Sequence, residues 1–324
     1  MKERDYYFDN LKAFLIIAVI IGNSLEHANP SVVNLHYLIL VLYIFHMPLF
    51  AFVSGYFCNK SKHSTQEKVL KTFKTYLTAQ VFYWLLDIIV FKSKVTLRLF
   101  QPSWTMWYLL SLTCWYIISD YIKNKKKWLI TSVIVAIAIG FDLGVGSYGS
   151  ISRTFFFLPL FIAGMCFKKE YIETLKKNKI YIVVGSVLTL AFLYLISAAT
   201  PIELLFEYTD YKFYFENPWF PMFIRIFHYI GAFFIGSLIL LLMPNKKTMA
   251  SILGANSLVM YVPHAAIIKV LYPFNFMKYN SVHRIILSEL IILATCIAVT
   301  LIYVKLRPIL RNIFTKRAKS IDVS

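Results

Sequence analysis

Apolar residues come in long runs along this chain, and polar residues gather in short clusters between them. A helix that crosses a bilayer needs roughly 20 mostly apolar residues. On that measure the runs predict about ten spans: Leu11–Ser24, His36–Cys58, Phe73–Phe91, Trp104–Ile122, Trp128–Leu143, Thr154–Phe167, Ile180–Ala198, Met222–Met243, Ser251–Tyr272 and Ile285–Val304. The expected fold is therefore all-α, a polytopic membrane protein forming a single domain over residues 1–324. Its core covers about 7–304, and 305–324 form a basic tail. The connections are short, except for the segment of about 199–221, so no second soluble domain is expected.

Composition agrees with the pattern. Hydrophobic residues make up 59% of the 324 positions and charged residues 15%, against roughly 45–50% and 25% in soluble domains. Mean hydropathy is +0.64. The net charge of +18 would suggest nucleic acid in a soluble chain. Here the cations follow the spans instead. Basic residues cluster up to Lys12, at Lys60–Lys74, at Lys123–Lys127, at Lys168–Lys179, at Lys246 and Lys247, and from Lys305 onward. These clusters fall on one side of the bilayer, which places both termini in the cytoplasm and makes the charge a topogenic and anionic-lipid signal. No nucleic-acid partner is expected. Lys2 and Arg4 precede an apolar run with no small-residue cleavage site, so the first stretch is expected to be retained. Cys58, Cys114, Cys166 and Cys296 show no zinc-like spacing and read as free thiols; no metal and no bound cofactor are expected.

An ionisable side chain near the bilayer centre costs about 2.5–3.5 kcal/mol even on the lenient insertion scale, so the polar residues inside the runs are the candidates for chemistry. Lys12 and Asn23 lie on the first stretch, roughly 16 Å apart along a helix of 1.5 Å rise per residue. His27, four residues after Asn23, falls on the same helical face. His46 stands near the middle of the second stretch, where Pro48 is expected to kink the helix and Ser54 and Gly55 to permit close approach. Arg153 precedes three phenylalanines and suits an acyl donor's phosphates or a glycan carboxylate. His264 directly follows Pro263 inside the ninth stretch. Two intramembrane imidazoles, an Asn and an Arg in the middle or outer half predict a polar cavity.

The strings YFDNLKAFLIIAVIIGNS, FHMPLFAFVSGYF, PSWTMWYLLSL, SRTFFFLPLFIAGM and NSLVMYVPHAAI, in this order, resemble the integral-membrane acyltransferase 3 family, especially its fucose 4-O-acetylase-like branch. The resemblance covers roughly Tyr7 to Val304. It implies transfer of an acetyl or other acyl group from acyl-CoA to a hydroxyl of an envelope or lipid-linked carbohydrate, in a multi-pass protein of a bacterial plasma membrane. The family carries a basic residue, ten intervening residues and a His in its first helix. Here Lys12 keeps the basic position and Asn23 replaces the His. The base role then falls to His264, His46 or His27, with Asn23 as orienting amide; Lys12, Ser54, Trp107 and Arg153 are the donor- or substrate-binding candidates. A chain that has lost catalysis would serve as a carrier or binding partner for a glycan or lipid-linked intermediate.

Overall fold

The computed structural model describes residues 4–27, 35–144, 146, 148–272 and 281–321, with side chains described as far as Ile309. Lys2, Lys278 and the cationic side chains beyond Ile309, all counted in the charge distribution, lie outside these limits. Thirteen α-helices and no strand occur among the described residues: α1 Tyr6–Leu25, α2 Leu35–Tyr43, α3 His46–Lys60, α4 Thr65–Ile89, α5 Trp107–Ser119, α6 Lys125–Ala138, α7 Ile151–Cys166, α8 Tyr171–Lys177, α9 Lys179–Ile196, α10 Trp219–Leu242, α11 Ser251–Ala255, α12 Ser257–Leu271 and α13 Val282–Ile321.

Six helical segments among the described residues are long and apolar enough to cross a membrane: Tyr6–Leu25, Leu35–Lys60, Tyr148–Cys166, Lys179–Ala199, Trp219–Leu242 and Val282–Ile309. The other four expected spans are also helical but fall short of that criterion. α5, α6 and α12 have 13, 14 and 15 residues. α4 is longer, yet it opens with the polar capping box of Ser64 and Glu67, whose reciprocal hydrogen bonds satisfy the first free N–H groups.

The second stretch departs from a simple kinked span. Its helix stops at Tyr43 and restarts at His46, so Pro48 sits in the first turn of α3, where its missing N–H costs nothing. The residue four before Pro48 is Ile44, and a proline ring clashes with the carbonyl at that position. The interruption falls there. At the other end of the chain, the basic tail continues α13 as helix to Ile321.

The chain divides into two compact units. One comprises Met1–Val32 with Pro244–Ser324, the other Val33–Met243. In the first, α1 packs against α11, α12 and α13, and α12 against α13. Asn10 ties the start of α1 to the segment before α11: its Nδ2 donates to the carbonyls of Pro244 and Lys246, both at 2.9 Å, and its Oδ1 accepts from Thr248 and Ser251 at 2.6 and 2.7 Å. All four hydrogen-bonding positions of that amide are used.

In the second unit the closest helix pair is α3 with α7. A Cβ at Gly55 would lie 1.8 Å from the Phe161 carbonyl oxygen, and one at Gly164 would lie 1.9 Å from that of Phe52. The two backbones touch because both helices present glycine at the crossing, the usual small-residue solution where helices meet without water to drive them together. Gly164→Val is expected to destabilise the protein by about 3 kcal/mol through overpacking. Leu195→Ala, at a side chain 77% exposed, should change stability by less than about 0.5 kcal/mol. Thermal unfolding in detergent compares the two.

Candidate functional site

Within the first unit, Asn23 and His264 meet. Both are buried, and Asn23 Nδ2 lies 3.0 Å from His264 Nε2. On its other side, His264 Nδ1 contacts the Tyr261 carbonyl, which can only accept. Nδ1 therefore carries the proton, and Nε2 presents its lone pair to the Asn23 amide. Pro263 adds to this arrangement by removing one helical donor just before the histidine. The sequence-level candidates Asn23 and His264, 241 residues apart, form one hydrogen-bonded pair.

His27 follows one turn later, where its Nδ1 donates to the Asn23 carbonyl at 3.2 Å and its ring packs edge-on against Tyr272 at 5.1 Å. Burial holds His27 below its ordinary pKa, with Lys269 adding to the effect and the Asn23 carbonyl opposing it. Beside Asn23, Ser24 Oγ lies 2.6 and 2.7 Å from the two carboxyl oxygens of Glu289 on α13. Glu289 was not among the sequence candidates. Its signal was a lone acid within the last apolar run, next in space to the residue after Asn23. Lys12, near the opposite end of α1, pairs with Asp9 at 2.9 Å, and Arg4 joins the same carboxylate at 2.7 Å.

The second unit gathers the other candidates. The Arg153 guanidinium lies over the Trp107 ring at 4.8 Å and the Tyr208 ring at 5.0 Å, while its Nε donates to the Phe206 carbonyl at 2.8 Å. Trp107 in turn stacks on Phe157 at 5.2 Å. Such cation–π contacts hold an arginine with a directed face. Ser54 contacts the Tyr108 hydroxyl at 2.6 Å, next to Trp107. His46 donates from Nδ1 to the Leu42 carbonyl at 2.6 Å across the α2–α3 interruption. Its ring meets Tyr43 at 4.6 Å, which packs on Phe206 at 4.7 Å. His46, Arg153 and Trp107 thus converge on the segment around Phe206.

That segment holds charges the sequence reading passed over. Glu207 closes a 3-10 turn, Ile202–Phe206, in the left-handed conformation at φ 59°, which costs about 1–2 kcal/mol for a residue with a Cβ. Its carboxylate is buried and accepts from Arg225 Nε at 2.6 Å and from His228 Nδ1 at 2.9 Å. Arg225 also donates to the Ala136 carbonyl and to Ser152 Oγ, each at 3.1 Å. The detectable signal was Arg225 and His228 one turn apart within a single span. Their acid comes from a loop, and nothing local in the sequence announces that it turns inward.

All four cysteines are free thiols, Cys58 and Cys296 buried and the other two partly so. Among the described residues no cluster of His, Cys, Asp and Glu has the geometry to hold a metal ion.

The family model for the acyltransferase domain of acyltransferase 3 matches residues 5–306. The chain belongs to that family. Nearly the whole helical assembly, with both polar clusters, lies inside the match. No curated protein and no solved structure matches the chain. Membership makes the chain a membrane acyltransferase by class, and its six apolar helices agree with residence in a membrane.

Removing one partner of a buried ion pair strands the other, typically at about 3–5 kcal/mol. Arg225→Met is expected to destabilise the protein by that amount, and Arg225→Met with Glu207→Leu by clearly less. Thermal unfolding in detergent, read as a double-mutant cycle, checks the difference.

Proposed function

We propose that this protein is a membrane O-acyltransferase, of the fucose 4-O-acetylase-like branch, that moves an acyl group, in the first instance acetyl, from acyl-CoA to a hydroxyl of an envelope or lipid-linked carbohydrate. The observation that carries this reading is the Asn23–His264 pair, in which a fixed tautomer leaves Nε2 as the basic nitrogen. The entering hydroxyl displaces the Asn23 amide from Nε2. As its oxygen attacks the thioester carbonyl, its proton passes to His264, the C–S bond breaks, and the CoA thiolate leaves to be protonated. Asn23 is then free to donate toward the charge that develops on the carbonyl oxygen. Lys12, Ser54, Trp107 and Arg153 serve donor and substrate binding in this reading, and His46 and His27 are the reserve bases.

The protein resides in a bacterial plasma membrane with about ten spans and both termini in the cytoplasm, a topology supported by the distribution of Lys and Arg. A second reading follows from the amide at position 23. An Asn cannot take a proton near neutral pH, so a chain without transfer activity would carry or bind the glycan intermediate instead.

Purified protein in liposomes, given radiolabelled acetyl-CoA and an envelope glycan fraction, should label the glycan, and His264→Ala should lower the rate by roughly 10²–10⁴, the worth of a positioned base. Transfer unaffected by both His264→Ala and His46→Ala would sink the mechanism. Transfer only in Asn23→His would point to the carrier reading. A fluorescent protein fused to the C-terminus should fluoresce, and alkaline phosphatase fused after Lys212 should be active; the reverse pattern would overturn the topology.

A further inference from the structure

Among the described residues, one buried imidazole nitrogen of the second unit has no hydrogen-bond partner. His228 is fully buried, its Nδ1 donates to Glu207, and its Nε2 has no hydrogen-bond partner. Buried polar atoms are almost always bonded, and an orphan costs about 1–3 kcal/mol. The surroundings make this orphan specific. Glu207, already paired with Arg225, accepts from Nδ1 and so holds a proton there; in the neutral ring Nε2 is then a lone pair directed away from the carboxylate. The ring lies 4.9 Å from Phe156 and 6.4 Å from Phe157. Phe157 is the ring on which Trp107 stacks, and Trp107 carries Arg153 on its face. Arg153, Phe156 and Phe157 are spaced i, i+3, i+4 on α7, a single helical face.

We propose that His228 Nε2 is a ligand contact: it accepts a hydrogen bond from a hydroxyl group of the carbohydrate acceptor, bound along the α7 face that begins at Arg153. The choice of a carbohydrate hydroxyl rests on the acyltransferase reading; the need for a donor at Nε2 rests on the geometry alone. The lone pair of the neutral ring, beside Phe156 and Phe157, accepts from an O–H donor and has no proton to offer an anionic group. Glu207 and Arg225 are positioning residues that hold the imidazole in register.

Two variants separate contact from scaffold. In His228→Asn the side-chain amide can still donate to Glu207 from the place of Nδ1, but nothing reaches the place of Nε2. In His228→Gln an amide returns there. The expected result is a KM for the glycan fraction raised roughly tenfold in His228→Asn, the worth of one hydrogen bond of about 1.4 kcal/mol, with the KM for acetyl-CoA unchanged and partial recovery in His228→Gln. Equal KM values for the glycan in all three proteins would overturn the proposal. A second measurement needs neither folding of the variants nor activity: solid-state NMR of native protein labelled with ¹⁵N at histidine, in liposomes. The Nε2 signal of His228 should shift on addition of the glycan fraction and stay in place on addition of acetyl-CoA. A signal indifferent to glycan, as a trapped water alone would leave it, refutes the contact. A shift in a protein that transfers no acetyl group would uphold the contact while the acyltransferase reading fails.

Discussion

Hydrocarbon offers a polar group no partner, so a polar side chain on a membrane helix must be satisfied by another part of the same protein. That constraint organises this structure. Asn10, Asn23 and Ser24 on α1 reach respectively the segment before α11, the histidine of α12 and the glutamate of α13. Each contact joins positions more than two hundred residues apart. Apolar packing alone leaves helices free to rotate and slide; these bonds select one register.

The same constraint governs how the buried imidazoles are held. An imidazole satisfied on both sides, as His264 is, is held in one tautomer and one orientation. The Asn23 amide meets ring nitrogen Nε2 at 3.0 Å and so fixes which way the ring faces. In the second unit the arrangement is different: Arg225 and Glu207 neutralise each other, and the imidazole that shares their carboxylate presents a bare nitrogen. One nitrogen is guarded and the other open.

Much of this was legible in the chain. Apolar runs located helices because a bilayer permits little else, and His264 and Asn23 stood out as polar residues in apolar company. The α2–α3 interruption was only half legible: Pro48 marked a break, but a proline acts four residues upstream, which moved it to Ile44. Trp107 and Arg153 were both candidates, but that the guanidinium lies over the buried indole ring follows from packing that no local pattern shows. Glu207 was illegible. It lies in the one long connection, about 199–221, and only a left-handed residue outside glycine, invisible in sequence, turns the carboxylate inward.

The first unit is assembled from the two ends of the chain, with the whole second unit inserted between them. Its α1 leaves the ribosome well before its neighbours, for the partner of Asn23 lies 241 residues downstream. At roughly 5–20 residues per second of synthesis, the amide waits on the order of 10–50 seconds before His264 has even been made. During that interval α1 must be sheltered by something other than its final neighbours, whether the insertion machinery or water at the membrane surface. The order of birth of the helices thus becomes a property on which selection can act, independently of how well the finished protein works.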